Sequence, residues 1–263
     1  METLWSIRRP VGELRPGDHC WLAYESPEER SHVVGAFTRA GLDSGEKVVH
    51  VPGRTVPAGR NGPGLAPEAL LTWLKDATAQ AMRQGHRGVR IVADLTWALD
   101  HPEGLEPLSE FERGLDLLVG ESAQVIAVCQ VDRRRCGPAD LDALGALHGG
   151  AVAADPEFED DVLRIDRTFH PPGLAFTGEL DAFRHSALVR VLGTARAHAK
   201  DGELHLDMSG LVFMDLGALN ILADTAARPL HDRAIVLDRM PPHLRGIMDA
   251  VGWHMLPGVR LGA

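Results

Sequence analysis

The sequence predicts an α/β protein of two domains, and three observations support this prediction. The chain has 263 residues, which is more than the roughly 100–200 residues of one typical domain. From Asp18 onward, short apolar runs alternate with amphipathic segments, which is the pattern of a mostly parallel sheet covered by helices. An acidic, proline-containing stretch over residues 149–162 separates two regions with different orders of elements. We therefore place the two domains at residues 10–155 and 163–263.

The first domain is expected to alternate strands with helices. Apolar runs predict strands over residues 19–24, 47–51, 89–93 and 124–129. Helical spacing predicts helices over residues 27–42, 70–82, 107–118 and 139–147. Between Gly53 and Pro67, repeated glycines and prolines interrupt any regular element, so this segment is expected to be a loop.

The second domain begins differently, with two strands in succession. Strands are predicted over residues 163–167, 174–177, 203–207 and 234–237. Helices are predicted over residues 181–199, 218–227 and 242–251. These elements form a smaller α/β domain. The acidic stretch before it contains little to bury, so we expect proteases to cut there.

Charge and hydropathy argue against nucleic-acid and membrane partners. The formal net charge is −10, from 37 acidic and 27 basic residues, and this makes a phosphate backbone an unfavourable partner. The compact basic patch Arg133–Arg135 is interpreted as a solvated turn. No apolar run is long enough to span a bilayer, and residues 1–20 lack the apolar core of a secretory signal. We expect a cytoplasmic protein.

Motifs that would indicate an enzyme are absent from the sequence. No glycine-rich loop ends in Gly-Lys-Ser or Gly-Lys-Thr, the motif that binds nucleotide phosphates. The Gly-x-Ser-x-Gly motif of serine hydrolases is also absent. The neighbouring carboxylates Asp160 with Asp161, and Glu110 with Glu112, are interpreted as solvated groups. We therefore expect no catalytic residue and no enzymatic activity, and a hidden nucleotide site is the least supported alternative.

The cysteines and histidines do not have the spacing of a metal site. Of the three cysteines, Cys129 and Cys136 are too far apart for the close pair that structural zinc sites use. His19 and Cys20 are adjacent, so their side chains point to opposite faces of a strand. The thirteen histidines are interpreted as scattered core and surface residues. No metal or other cofactor is expected.

Three segments of the second domain carry a resemblance to a known family. They are residues 174–181, residues 204–215, and residues 234–237 ahead of the final helix. In order and spacing they resemble the STAS domain, the fold of bacterial anti-sigma-factor antagonists. The resemblance implies that the domain binds a protein, either a kinase-like anti-sigma factor or another protein that recognises STAS domains.

The resemblance also identifies a candidate partner surface, which consists of Ser209, Asp215, Leu216, Gly217 and Ala218. In the family, a serine two residues after the aspartate is phosphorylated by the partner kinase. Gly217 stands at that position here, and glycine cannot accept a phosphate, so partner binding is expected to be constitutive. Ser209 is interpreted chiefly as a turn-forming residue, and Asp215 as a helix N-cap that is compatible with a partner contact.

The first domain resembles a second family. The matching segments are residues 17–24, 92–99, 110–112 and 128–134, together with His148. They are similar to the DcmR-type sensory domain, MEDS, which has a RecA/KaiC-like α/β fold. The resemblance implies that this domain senses a small organic ligand.

A ligand pocket in an open parallel sheet is expected at the carboxyl ends of the strands. The candidate ligand-binding residues are His19, Tyr24, Asp94, Trp97, Cys129 and Asp132. An equal alternative is that Trp97 and Cys129 belong to the core and that His19 caps a strand.

Two functions remain open at this point. In the first, the chain is a bacterial signalling regulator whose STAS domain binds an anti-sigma factor or a similar partner, with the N-terminal domain modulating that contact. In the second, the chain is a small-molecule sensor whose STAS domain serves for self-association, which gives a homo-oligomer.

Overall fold

A computed structural model describes residues 8–51, 67–100, 106–122, 124–198, 203–227, 234–250, 252 and 258–262. The chain divides into two compact units between Asp155 and Pro156. Except for Pro67, the loop predicted over Gly53–Pro67 lies outside the described residues.

The first unit contains a six-stranded sheet in which every described pairing is parallel. Its strands are β1 (Arg8–Pro10), β2 (His19–Tyr24), β3 (Lys47–Val51), β4 (Val89–Asp94), β5 (Val125–Asp132) and β6 (Ala151–Ala153). Across the sheet the order is β1-β6-β2-β5-β4-β3. The predicted mostly parallel sheet is confirmed, while β1 and β6 were missed because three residues are too few to show an apolar pattern.

Four helices cover the two faces of this sheet. They are α1 (Pro27–Asp43), α2 (Pro67–Arg83), α3 (Glu106–Glu121) and α4 (Pro138–Ala146). The hydroxyl of Ser26 accepts a hydrogen bond from the Glu29 N–H at 3.1 Å and so caps α1. One face of the sheet packs against α2 and α3, and the other face packs against Val33 and Phe37 of α1. Successive side chains of β2 point to opposite faces of the sheet, so Trp21 packs in the core on the α2 and α3 side and Leu22 packs in the core on the α1 side.

The second unit contains a mixed sheet with a single core. Its strands are β7 (Phe158–Glu159), β8 (Leu163–Phe169), β9 (Pro172–Leu180), β10 (Leu204–Met214), β11 (Ile235–Asp238) and β12 (Val259–Leu261). The order is β12-β11-β10-β9-β8-β7, with antiparallel pairing from β7 to β9 and parallel pairing from β9 to β12. Its helices are α5 (His185–His198), α6 (Leu216–Ala227) and α7 (Pro242–Ala250). The predicted smaller α/β domain is thereby confirmed.

Strand β10 is longer than the predicted segment 203–207. Its pairing with β9 shifts register between Asp207 and Gly210 and again between Leu211 and Phe213. Such bulges interrupt the alternation of apolar and polar residues, so the sequence pattern ends early. Ser209 lies in this strand and not in a turn, and its backbone N–H donates to the Asp207 carboxylate at 3.0 Å. The turn-forming role expected for Ser209 is therefore wrong.

The acidic stretch over residues 149–162 contains strands that the sequence pattern did not show. It supplies β6 to the first sheet and β7 to the second. Val152 of β6 is buried, and the Asp155 carboxylate accepts a hydrogen bond from the Gly12 N–H at 2.7 Å. The expectation that this stretch has little to bury is corrected, since two- and three-residue strands leave no periodic signal.

Within the described part of the chain, no helix combines the length and the apolar character needed to cross a lipid bilayer.

Candidate functional site

Four side chains able to bind a metal ion meet inside the first unit. They are His19, Glu112, Cys129 and His148, all buried, and their ligand atoms lie within 4.8 Å of one another. We call them the buried cluster. His19 is the first residue of β2, Cys129 lies in β5, Glu112 lies in α3, and His148 follows α4. Four separate elements therefore contribute to one small volume.

The pairing of β2 with β5 explains how this cluster forms. Trp21 pairs with Cys129 and His19 pairs with Ala127, so alternate side chains of both strands face the same side of the sheet. Helix α3 packs on that side through residues such as Phe111. Glu112 therefore reaches a region that is otherwise apolar.

The carboxylate of Glu112 lies at the centre of the cluster. Its Oε2 lies 3.0 Å from His19 Nε2, 3.3 Å from His148 Nε2 and 3.5 Å from Cys129 Sγ. Burial alone would raise the pKa of Glu112, but the contacts with His148 and His19 outweigh burial and lower this pKa to about 2. Burial and the neighbouring carboxylate raise the pKa of the Cys129 thiol well above its usual value. When no metal ion is bound, the Glu112 carboxyl group is thus ionised and Cys129 is a protonated thiol.

Each histidine of the cluster has an acceptor on its other ring nitrogen. His148 Nδ1 lies 2.7 Å from the Leu144 carbonyl oxygen, and His19 Nδ1 lies 3.4 Å from Asp116 Oδ1. Burial would lower the pKa of His19, but Glu112 and Asp116 outweigh burial and raise it. Carbonyl and carboxylate oxygens only accept hydrogen bonds, so Nδ1 is the donor in both rings. Both Nε2 atoms then face the Glu112 carboxylate.

A second group of polar side chains lies at the carboxyl ends of β2, β4 and β5. Arg30 Nε donates to Gln130 Oε1 at 2.8 Å, and Arg30 Nη2 lies 3.4 Å from Asp94 Oδ2. The Arg30 guanidinium carbon lies 5.9 Å from the centroid of the Tyr24 ring. These contacts hold Tyr24 and Asp94 close to one arginine. Asp132 instead accepts hydrogen bonds from Arg134.

In the second unit, Asp215 caps α6 and binds a histidine. Its Oδ1 accepts hydrogen bonds from the Ala218 N–H at 2.7 Å and from His185 Nε2 at 2.8 Å. Burial would raise the pKa of Asp215, but these contacts outweigh burial and lower it. Asp215 therefore joins the start of α6 to the start of α5.

Gly217 lies directly against the imidazole ring of His185. A Cβ at this position would lie 2.3 Å from His185 Cε1, which is too close for any real side chain. The φ angle of Gly217 is not positive, so backbone freedom is not the reason for glycine here. The imidazole of His185 occupies the space that a side chain at 217 would need.

Exposed apolar side chains lie near the ends of β9 and β10, close to Asp215. We call Phe183, Val212, Phe213 and Leu216, which are all exposed, the apolar rim. They lie where β9 and β10 end, since the Asp215 N–H donates to the Leu180 carbonyl at 3.1 Å. Apolar side chains grouped at one end of a sheet are typical of an interaction surface.

Residues 55–149 match the family model of MEDS, the MEthanogen/methylotroph, DcmR Sensory domain. Residues 163–258 match the STAS_2 model, described as Mlab, STAS domain. The chain combines a MEDS domain with a STAS domain. Both predicted resemblances are thereby confirmed, and the pair indicates a signalling or regulatory role. A comparison with curated proteins finds no match to this chain.

The six residues predicted to bind a ligand in the MEDS domain do not form one site. His19 and Cys129 belong to the buried cluster, with His19 Nε2 3.4 Å from Cys129 Sγ. His19 lies at the amino end of β2, so its predicted position at a strand's carboxyl end is wrong. Trp97 packs in the same core as Cys129, with its ring nearly perpendicular to that of Phe111 and the ring centroids 6.5 Å apart.

The remaining three predicted ligand residues lie elsewhere. Tyr24 packs in the core on the α1 side of the sheet, and Asp94 is in contact with Arg30. Asp132 caps the short helix that follows β5. Of the predicted pocket, Tyr24 and Asp94 both lie near Arg30, while His19 and Cys129 both lie near Glu112.

The interpretation of Glu112 as a solvated carboxylate is wrong, because this residue is 1% exposed. A signal for its burial is present in the sequence. Leu108 and Leu115 lie four residues before and three residues after Glu112, and both are buried, so Glu112 occupies the apolar stripe of α3. Spacing rules for local metal sites could not reveal the cluster, because its ligands come from residues 19, 112, 129 and 148.

The predicted partner surface of the STAS domain is partly exposed. Leu216 and Ser209 are exposed, while Asp215 and Gly217 are partly exposed. Ala218 is fully buried in the core, so its side chain cannot contact a partner. Sequence reasoning missed His185 and Phe183, whose roles depend on contacts between elements.

Proposed function

We propose that the chain is a non-catalytic bacterial signalling regulator. Its STAS domain binds a partner protein through the apolar rim, and its MEDS domain modulates that contact in response to a small organic ligand. The observation that carries this proposal is the apolar rim next to the capped start of α6. Burial of apolar surface is the main favourable contribution to most protein association.

The rim has a natural anchor for a partner. The Phe183 side chain is 92% exposed, although its backbone N–H donates to the carboxylate of Asp181, which caps the short helix at residues 182–184. An aromatic side chain held on ordered backbone loses little conformational freedom on binding and is a frequent binding hot spot. Leu216 adds a second exposed apolar group beside the cap.

We propose that binding is constitutive with respect to phosphorylation at position 217. Gly217 has no hydroxyl group, and in its observed position the His185 ring fills the space that a side chain there would need. A kinase-like anti-sigma factor would therefore bind this STAS domain without switching it off by the mechanism that the family resemblance implies. Another STAS-binding protein is the alternative partner.

The absence of catalysis is part of the proposal and rests on the start of α1. Only Glu25 and Ser26 separate β2 from α1, which is too short for a phosphate-binding loop. Glu28 and Glu29 lie in the first turn of α1. Their negative charge disfavours a phosphate at this helix N-terminus.

Calorimetry with the full chain and the anti-sigma kinases encoded in the same genome tests the proposal. Phe183→Ala should weaken binding at least about tenfold, which corresponds to about 1.4 kcal/mol. Val189→Ala is the matched control, because Val189 is an exposed apolar residue of the same domain on α5, and it should bind as the unchanged chain does. Equal affinity for both variants would rule out the rim as the docking surface.

Self-association is the second candidate function, and the same rim supports it, since exposed apolar side chains can also pair two copies of the chain. Sedimentation of the full chain distinguishes the two functions. A dimer that Phe183→Ala dissociates, without any affinity for an anti-sigma kinase, would favour the homo-oligomeric sensor. If the full chain sediments as a monomer, self-association is ruled out and the apolar rim is left to bind a different protein.

A further inference from the structure

We propose that His19, Glu112, Cys129 and His148 bind one transition-metal ion, with zinc as the best fit. The MEDS and STAS matches assign no metal to this chain, and the proposal does not depend on the partner of the STAS domain. It rests on the convergence of four donor atoms from four elements on one buried point.

The orientation of the two imidazole rings is the first argument. Both Nδ1 atoms face acceptors, the Leu144 carbonyl and the Asp116 carboxylate, so a neutral ring has its lone pair on Nε2. Each neutral ring then points its lone pair at the Glu112 oxygen, which is repulsive unless a proton or a metal cation lies between them. If both rings were protonated instead, one carboxylate would face two buried positive charges. An outward acceptor on Nδ1 with Nε2 turned inward is also the usual arrangement of histidines that bind metals.

Atoms without hydrogen bonds are the second argument. Among the residues that the structure describes, the buried atoms Glu112 Oε1 and His148 Nε2 have no hydrogen-bond partner. His148 Nε2 lies 3.3 Å from Glu112 Oε2, but not in hydrogen-bonding geometry. Buried polar atoms of this kind are rare in native proteins and call for an ion or a water molecule. A metal ion would bind the nitrogen and one or both carboxylate oxygens.

The distances within the cluster suit a small tetrahedral ion. Metal–ligand bonds of about 2.0–2.3 Å place ligand atoms roughly 3.3–3.8 Å apart. His19 Nε2 lies 3.0 Å from Glu112 Oε2 and 3.4 Å from Cys129 Sγ. Cys129 Sγ lies 3.5 Å from the same carboxylate oxygen. All four ligand atoms lie within 4.8 Å of one another, so a shift of about 1 Å would bring even the widest pair to tetrahedral spacing.

The ligand types and the charges identify the class of metal. Imidazole and thiolate ligands suit zinc and other late transition metals, whereas magnesium and calcium prefer oxygen ligands. Two neutral histidines, one carboxylate and one thiolate carry a charge that a divalent ion neutralises, which removes the cost of burying them. On binding, Cys129 releases its thiol proton to solvent, and the metal–sulfur bond takes its place.

Four protein ligands fill a tetrahedral zinc site, so this site is structural and has no open position for a substrate. The ion would join β2, β5, α3 and the segment after α4. We therefore expect metal to stabilise the MEDS domain.

Cobalt substitution of the full chain is the decisive experiment. After treatment with a chelator, the chain should bind one Co²⁺ ion and show the visible bands of tetrahedral cobalt and a thiolate-to-cobalt charge-transfer band. Zn²⁺ should displace the cobalt. Cys129→Ser should lose the charge-transfer band, and Cys136→Ser is the matched control that should keep it. Absence of the band in the unchanged chain, or its loss only in Cys136→Ser, would overturn the proposal.

A variant at the surface covers the case in which Cys129→Ser does not fold. Asp116 is a positioning residue, since its carboxylate faces His19 Nδ1. Because the Asp116 side chain is exposed, replacing it should leave the core unchanged. Asp116→Asn should weaken zinc binding about tenfold, at the low end of the effect of such partners. Glu110→Gln, an exposed change on the same helix, should leave the zinc affinity unchanged. Equal zinc affinities for Asp116→Asn and Glu110→Gln would count against the arrangement of ligands.

Discussion

The MEDS and STAS domains each contain a close contact between a histidine and a carboxylate, and the two contacts differ in burial. His19 Nε2 and Glu112 Oε2 are 3.0 Å apart, with side chains 3% and 1% exposed. His185 Nε2 and Asp215 Oδ1 are 2.8 Å apart, with side chains 27% and 25% exposed. The two histidine–carboxylate pairs therefore have nearly the same separation, although one is buried in the core and the other lies at the solvent-exposed surface.

The comparison teaches that the surroundings of a pair decide its role. Water solvates the His185–Asp215 pair, so its ionic contact is worth little and Asp215 acts mainly as a helix cap. Water does not reach Glu112, so its charge must be balanced by protonated histidine or by a metal ion. The buried pair is thus a candidate site for an ion, and the partly exposed pair lies beside the proposed docking surface.

The largest expected effect follows from removing the buried carboxylate. Glu112→Ala, measured in chelator by urea unfolding, should lower the free energy of unfolding of the MEDS domain by about 3–5 kcal/mol, because buried histidines lose their partner. Glu112→Gln is the control, since its amide keeps the shape and can still hydrogen bond to Nε2, and it should cost less. If Glu112→Ala lowered the free energy of unfolding no more than a surface substitution does, the buried pair would not differ from the exposed pair in the way proposed.

A smaller effect is expected at the exposed pair. Asp215→Ala should lower the free energy of unfolding of the STAS domain by about 1–2 kcal/mol, since α6 loses its N-cap. The pKa of Asp215 is lowered in the folded state. Its stabilising contribution is therefore present above the unfolded pKa of about 3.9, and it is lost as pH falls through the lower, folded pKa.

Melting temperatures between neutral and strongly acidic pH test this dependence. The difference between the unchanged chain and Asp215→Asn should be constant above the unfolded pKa and shrink only in the acid range below it. A difference that already shrinks near neutral pH would indicate that another group titrates there.

Gly217 gives a third, still smaller effect. Gly217→Ala should cost about 1 kcal/mol, at the low end for overpacking, because its Cβ displaces the His185 ring and the ring can rotate away. In a His185→Ala background the same change should be neutral or stabilising, since alanine is favoured over glycine within a helix. A double-mutant cycle from thermal unfolding measures this coupling. An equal cost in both backgrounds would show that His185 is not the reason for glycine.

The sequence predicted the regular elements well and the sites less well, and the reasons are physical. Strand β2 was predicted with the bounds that the structure shows, because five of its six residues are apolar or aromatic, which suffices for a pattern. Strands β6 and β7 were missed because they are two or three residues long. Asp215 could be recognised as a helix cap because capping is a local signal. Its carboxylate accepts a hydrogen bond from the N–H of Ala218, only three residues later.

The buried cluster could not be predicted by local spacing, because His19 and His148 are brought together by the fold. Their ring centroids lie 4.6 Å apart, although 129 positions separate them in the sequence. Gly217 shows the same limit: its departure from serine is visible in the sequence, while its cause, the His185 ring, is visible only in the structure.

The smallest expected effect concerns Asp155, at the end of the first unit. Its carboxylate accepts a hydrogen bond from the Gly12 N–H, and two residues later the Glu157 N–H donates to the Ile165 carbonyl at 2.8 Å. Because backbone on both sides of the unit boundary is hydrogen bonded, limited proteolysis of the full chain should spare residues 151–163.

Asp155→Ala should lower the free energy of unfolding by only about 0.5 kcal/mol, as expected for one exposed hydrogen bond, and should increase cleavage near the boundary. The readouts are the cleavage rate and the hydrogen exchange of the Gly12 amide, with Asp142→Ala, an exposed change on α4, as the control. Rapid cleavage of the unchanged chain within residues 151–163 would show that this stretch is a linker after all.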